Sequence, residues 1–341
     1  MNQRRHVFST VLIVCLLLVA TINRAGVLAN PAAISQPTQP ASGPGSREHR
    51  FTDTQRIHVG DEPTGAWVFT PAGVTPSDLR NLPTVLFIHG FGARDPNTYG
   101  GWIDHLVLRG AIVVYPDYQP ANPLQDAPAE YISNLFTGIR TGIEHLEHAG
   151  MTDVRTRGLH VVGHSLGGVL AVRYAQDADR LGFPRVRTLT VVEPGGCSTC
   201  GNFGSLGVPL ELDRMLPADL LAQMVVGSDD STVGDADARS IWPLLRNIPS
   251  VHRDYVTIVS DHHGAPPMIA DHEMVGTGGA RGTEDAMDWF ALWRPLDALI
   301  ACVDSGKLCS TAIGDTSEHR AMGTWSDGTP VTPLLISDGP R

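Results

Sequence analysis

The chain has 341 residues, 42% of them apolar and 18% charged, an ordinary globular composition with enough apolar material for one large core. Its formal net charge is −11 and no basic run follows the N-terminus, which argues against nucleic acid and anionic membrane surfaces as main partners. The N-terminus reads as an export signal. Arg4 and Arg5 precede an apolar run from Val7 to Ile22, and Val27-Leu28-Ala29 offers the small residues of a cleavage site, so cleavage is expected after Ala29. The competing reading is an uncleaved anchor, but the run is short for a span and is interrupted by Ser9 and Thr10. Cys15 falls in the discarded segment, leaving Cys197, Cys200, Cys302 and Cys309. An even number in an exported chain implies two disulfides, and of the pairings open to them Cys197–Cys200 with Cys302–Cys309 is the simplest. A redox or zinc role for the C-x-x-C pair is the alternative, but no thioredoxin-like pattern surrounds Cys197, and zinc would need Cys302 and Cys309 to converge on it.

Residues 30–50 are rich in Pro, Ser, Gln and Gly and read as a flexible linker. The main folded domain is expected over residues 51–310, with 311–341 as a C-terminal extension packed on it. Arg56 to Val59 and Ala66 to Thr70 read as the first, antiparallel strands. Thr84-Val85-Leu86-Phe87-Ile88 is a continuous apolar run of strand length, suited to burial on both faces, and His89-Gly90-Phe91-Gly92 follows it at once. Tyr99 to Arg109 reads as a helix closed by Gly110, Ala111 to Tyr115 as the next buried strand, and Pro116 to Pro128 as a loop. In Ala129 to His148, Leu135, Ile139, Ile143 and Leu146 form an apolar stripe at helical spacing. Leu159 to Val162 is a buried strand, and Val169 to Ala175 an apolar helical pattern.

Between these last two lies Gly163-His164-Ser165-Leu166-Gly167. A strand that turns sharply into a helix needs small residues beside the turn, and Gly163 and Gly167 meet that need. The apex residue is then strained, with its side chain outward, so the Ser165 oxygen stands at a helix N-terminus where backbone N–H groups can receive negative charge. The remaining expected strands are Arg187 to Val192, ending in Glu193-Pro194-Gly195-Gly196; Leu220 to Val226, followed by Gly227-Ser228-Asp229-Asp230; and Tyr255 to Val259, followed by Ser260-Asp261-His262-His263-Gly264. Thr283 to Ile300 reads as a closing helix in which Pro295 forces a kink or split, and Val331 to Ile336 as an added edge strand.

These motifs together resemble the α/β-hydrolase superfamily over about residues 60 to 300, with the secreted lipase-like, cutinase-like and chlorophyllase-like esterases as its nearest members. The resemblance implies an α/β-hydrolase fold, a mostly parallel eight-stranded sheet flanked by helices, with the triad in the order Ser, Asp, His. Carried onto this chain, Ser165 is the expected nucleophile, Asp230 the acid and His263 the general base, with the amides of Phe91 and Leu166 forming the oxyanion hole. Asp229 and Glu193 are the rival acids. The plain alternative for Asp229 and Asp230 is an Asp-rich turn capping the helix near Ala236 to Leu245. His262 is the rival base, and His272 is expected to make a structural hydrogen bond. A metal held by the vicinal histidines would need Asp271 and His272 to fold back, and the expected metal and cofactor sets are empty. The implied activity is that of an exported, monomeric serine esterase acting on a small-molecule or lipid-like ester. Lipase, thioesterase or acyl-peptidase chemistry on the same machinery, or an inactive secreted binding protein, are the alternatives.

Overall fold

A computed structural model of the chain describes residues 33–122, 125–151, 153–201, 207–278 and 282–340. The expected signal peptide, residues 1–29, lies outside the described residues.

The run predicted to be buried on both faces is β3, Thr84–Ile88. Its Val85 and Phe87 enter one apolar cluster and its Leu86 and Ile88 the other. Alternation across a pleated strand produces this division, so one continuous apolar run serves two cores. The other strands are β1 Thr54–Val59, β2 Ala66–Pro71, β4 Ile112–Pro116, β5 Leu159–His164, β6 Val186–Val192, β7 Leu221–Gly227, β8 Arg253–Ile258 and β9 Leu335–Ser337. They form one sheet in the order β1-β2-β4-β3-β5-β6-β7-β8-β9. The six strands from β4 to β8 are mutually parallel, while β1, β2 and β9 add antiparallel edges. The sheet therefore has nine strands, the expected eight plus the edge strand expected over Val331 to Ile336, which forms at Leu335–Ser337 as the C-terminal segment returns to pair with β8.

The helix Tyr131–His148 buries its Leu135, Ile139, Ile143 and Leu146 stripe on one face of the sheet, beside the helix Leu166–Asp177. The helix Gly100–Arg109 and the helix Arg294–Ser305 cover the other face, with Trp102, Leu106, Trp293 and Leu296 in its core. Pro295 neither ends nor splits the closing helix. The preceding turn, Asp288–Trp293, is wound as π-helix, and the Arg294 amide donates to the Trp289 carbonyl. A proline lacks an N–H and crowds the carbonyl four residues back, and the wider turn relieves both problems. Both local disulfides, Cys197–Cys200 and Cys302–Cys309, are formed.

Residues 34–50 are not a free linker. Ile34 accepts from the Ala265 amide, the Gln36 amide group donates to Asp285, and the Gly45 amide donates to Asp297 at 2.8 Å. Ser46 is wholly buried. This polar strap is held mainly by side-chain and backbone hydrogen bonds to the loop after β8 and to the closing helix and its approach, with Ile34 packed against the apolar core.

Candidate active site

The parallel strands end on one side of the sheet, and the loops that follow β3, β5, β6, β7 and β8 converge there. In open α/β sheets this carboxyl edge is where ligands bind. At the end of β5 the chain enters the helix Leu166–Asp177 through Ser165, whose φ of 56° and ψ of −124° are rare for a residue with a side chain. The two glycines permit this turn. A Cβ on Gly163 would lie 2.1 Å from the Gly167 carbonyl oxygen, and one on Gly167 would lie 2.1 Å from the Ile88 carbonyl oxygen. Hydrogen bonds lock the apex in place: the Ser165 amide donates to Val192 O at 2.9 Å, and Ser165 O accepts from the amides of Gly168 and Gly195.

The Ser165 hydroxyl lies 3.0 Å from Nε2 of His272, and Nδ1 of the same ring lies 2.9 Å from Oδ2 of Asp230. All three residues are buried. Asp230 Oδ1 accepts from the amides of Thr232 and Val233. Burial alone would raise the Asp230 carboxyl, but the hydrogen bond from His272 and the two amides outweigh it and hold the group below the usual carboxylate range. Asp230 thus stays charged, and its charge favours the Nδ1–H tautomer of His272, which leaves Nε2 free to accept from Ser165.

The structure brings together Ser165 and Asp230 as expected but does not bring His263 to them. His263 is exposed, its Nε2 is 2.8 Å from Oδ2 of Asp327, and its amide donates to Asp261; His262 is exposed as well. The reason is an excursion in the loop after β8. Asp261 and Met268 pair through two backbone hydrogen bonds, so residues 262–267 project away, and the chain returns to the site only at Ala270. His272, expected to have only a structural hydrogen bond, then reaches Ser165. The signal available in the sequence was Gly264-Ala265-Pro266-Pro267, a turn-forming run followed by the apolar Met268-Ile269-Ala270. The rival acid Asp229 serves this loop. Its amide donates to Ala270 O, and its carboxylate accepts from Ser260 Oγ at 2.5 Å, while Ser260 Oγ accepts from the Ala270 amide.

The loop after β3 runs against the nucleophile: a Cβ on Gly90 would stand 3.2 Å from Ser165 Cβ. Its peptide groups are pegged one by one. Tyr118 OH donates to His89 O at 2.8 Å, the Gly90 amide donates to Tyr99 OH at 3.0 Å, and the Gly92 amide donates to Gln119 Oε1 at 2.7 Å. Tyr115 OH donates to Ala93 O. The Phe91 amide makes no such bond to a described residue, and the residue is 58% exposed. Leu166, as the first residue of its helix, has an amide without an intrahelical acceptor. Neither of these two amides is therefore committed to a described acceptor.

Among the described residues, His164, Glu193 and His272 are the group whose ligand atoms converge as a metal would require, within 4.8 Å of one another. Both ring nitrogens of His272 are already engaged by Ser165 and Asp230, so a metal there would have to displace one of them. The trio fits a hydrogen-bonding and charge network better than a metal centre.

A model of the alpha/beta hydrolase family matches residues 85–325. The chain is 27% identical over 280 residues to the phenyloxazoline synthase MbtB of Mycobacterium tuberculosis and of Mycobacterium bovis. That match takes in 81% of this chain but only 16% of the length of those proteins. Among solved structures, two mutants of the esterase rPPE are similar at TM-scores of 0.43, with 20% and 22% identity. The matches cover 61% and 65% of this chain and 72% and 76% of theirs.

Proposed function

Because this chain belongs to the alpha/beta hydrolase family, we propose that it is a serine hydrolase that cleaves carboxylic esters through an acyl-enzyme. The observation that carries the reading is the unbroken line from Ser165 Oγ through His272 to the Asp230 carboxylate, with contacts of 3.0 and 2.9 Å. In this reading Nε2 of His272 takes the Ser165 proton as Oγ bonds to the ester carbonyl carbon. Asp230 holds the ring in its tautomer and stabilises the imidazolium. The amides of Phe91 and Leu166 receive the oxyanion; one such donor is typically worth about 3–4 kcal/mol of barrier. His272 then gives its proton to the departing alcohol. Water, deprotonated by the same ring, attacks the acyl carbonyl and releases the acid.

Export fits the same reading. Two disulfides suit an oxidising compartment, and no helix among the described residues is long and apolar enough to cross a membrane. A small-molecule or lipid-like ester is the substrate class.

The test is hydrolysis of p-nitrophenyl esters of increasing acyl length by the wild type and Ser165→Ala, with fluorophosphonate labelling of Ser165. Turnover that disappears with Ser165 supports the reading. A folded wild type that neither turns over these esters nor takes the label speaks against it and favours a binding protein.

A further inference from the structure

Gly90 and His164 are the residues immediately before Phe91 and Ser165. One atom touches both. The Tyr99 hydroxyl accepts from the Gly90 amide at 3.0 Å and shares a hydrogen bond with Nδ1 of His164 at 2.9 Å. Gly90 has no room to spare there: a Cβ on it would lie 3.2 Å from His164 Nδ1, 3.2 Å from Ser165 Cβ and 3.3 Å from the Tyr99 oxygen. The loop after β3 and the elbow after β5 therefore meet at a buried hydroxyl that belongs to neither. The Tyr99 ring packs against Phe87 of β3, with centroids 5.0 Å apart, and stands edge-on to His164 at 5.8 Å.

The position of Tyr99 is itself fixed. It closes the short turn Pro96–Tyr99, which Asp95 caps by accepting from the Asn97 amide at 3.0 Å. The same segment is bonded to the loop that delivers His272. The Thr277 amide donates to Thr98 O at 3.0 Å, and the Gly101 amide donates to Thr277 Oγ1 at 2.8 Å. Gly278 comes so close that a Cβ on it would lie 2.1 Å from Asn97 O. Between His272 and Thr277 the chain is wound into tight turns, closed by the Met274 amide on Asp271 O and the Gly276 amide on Glu273 O. The segment from Asp95 to Gly101 thus meets the elbow, the loop after β3 and the loop that carries His272.

We propose that Tyr99 is a positioning residue for the oxyanion site, its hydroxyl setting the place of the Phe91 amide relative to Ser165 Oγ. The inference rests on the serine-hydrolase reading of the same site. The Phe91 N–H shares a rigid trans peptide plane with Gly90 O and points the opposite way from that oxygen. Gly90 O accepts from the Ala93 amide at 3.1 Å and from His89 Nδ1 at 2.7 Å. Those bonds hold the plane from its carbonyl side, and Tyr99 holds the residue that leads into it. Because the same hydroxyl is tied to His164, the plane is registered against the nucleophile and not merely against its own loop. A preorganised donor serves the transition state only where it meets the developing oxyanion, and a shift of about 1 Å costs about 10²-fold in rate. Tyr99→Phe keeps the packed ring and removes only this tie.

The experiment compares Tyr99→Phe with the wild type, each as the whole protein, by kcat and KM on a short p-nitrophenyl ester and by the Kd of an alkylboronic acid. The boronic acid bonds to Ser165 Oγ and presents a tetrahedral centre to the oxyanion donors, as the transition state does. Expected are a kcat about thirtyfold lower, a KM within about twofold and a boronate Kd raised about thirtyfold. A residue that only supports the fold would lower the melting temperature and leave the boronate Kd of the folded protein as it was. Thr277→Val loosens the segment that carries Tyr99 without opening the core, and it carries the test if Tyr99→Phe does not fold. Its kcat and boronate affinity are each expected to fall about fivefold. Wild-type kcat and boronate Kd in folded Tyr99→Phe, or in Thr277→Val where that variant alone folds, overturn the inference and leave the hydrolase reading standing. A fall in kcat with no change in the boronate Kd does the same. Undiminished turnover in Ser165→Ala, or a wild type that neither turns over the ester nor binds the boronate, overturns both.

Discussion

Replacing His272 by Ala should abolish turnover, and replacing His263 by Ala should not. The two histidines lie on one loop, yet His272 touches both Ser165 Oγ and Asp230 Oδ2 while His263 pairs with Asp327 at the surface. Without His272 no other described residue is within hydrogen-bond reach to take the Ser165 proton, and the Asp230 charge no longer stabilises an imidazolium. Loss of a triad member in serine hydrolases lowers kcat by about 10⁴-fold or more, which at about 1.4 kcal/mol per decade is roughly 5.5 kcal/mol of transition-state stabilisation. Removing the exposed His263 side chain takes away a solvent-screened pair, so kcat/KM should stay within about twofold, as for most surface substitutions. The assay is kcat/KM on a short p-nitrophenyl ester, with circular dichroism melts to show that both variants are folded. A folded His272→Ala within tenfold of the wild type, or an inactive His263→Ala, would refute the reasoning.

The loop after β3, proposed above to receive the oxyanion, and the fold offer further tests. Gln119→Leu keeps the bulk but removes the peg on the Gly92 amide; kcat should fall about tenfold or more with KM little changed, since small displacements of preorganised donors are costly. Equal effects on kcat and KM would count against this loop as the oxyanion site. Gly167→Ala should fail to give folded protein, because the new Cβ would lie 2.1 and 2.3 Å from the backbone oxygens of Ile88 and His89, neither of which can move freely; soluble protein with a wild-type melt would contradict the elbow geometry. Burial above all pushes the His89 imidazole down from 6.5 to about 4. The unfolded chain therefore takes up a proton at pH values where the folded chain does not, so stability falls as pH drops from 6.5 towards 4, by at most about 3 kcal/mol for this group. His89→Asn should show a shallower loss between pH 7 and 4.5 in chemical denaturation, and equal losses would dismiss the assignment.

Much of the fold was legible because its information is local. β3, β5 and their neighbours are unbroken apolar runs, and the Gly163-His164-Ser165-Leu166-Gly167 turn carries its own geometric requirement, so its position in the sequence is its position in space. The strap of residues 34–50 and the π-wound turn before Pro295 were not legible in the same way. The strap contains almost nothing apolar, and its anchors are Asp285 and Asp297, far away in the chain. Periodicity cannot register a contact of that kind.

The base is the most instructive miss, because its location depends on how a loop is closed rather than on which residues follow a strand. Proximity to the end of β8 favoured His263, but the Asp261–Met268 pairing turns that stretch outward, and the bonds from Asp229 and Ser260 to Ala270 fix where the chain re-enters. Asp229 and Asp230 are adjacent and chemically identical, yet they divide the work: Asp230 reaches the imidazole, and Asp229 holds the loop that delivers it. In this site a serine set by backbone strain meets a histidine set by long-range hydrogen bonds. Substitutions at Asp229 or Ser260 should therefore act on catalysis through the position of His272, with Ser165 itself left in place by the elbow.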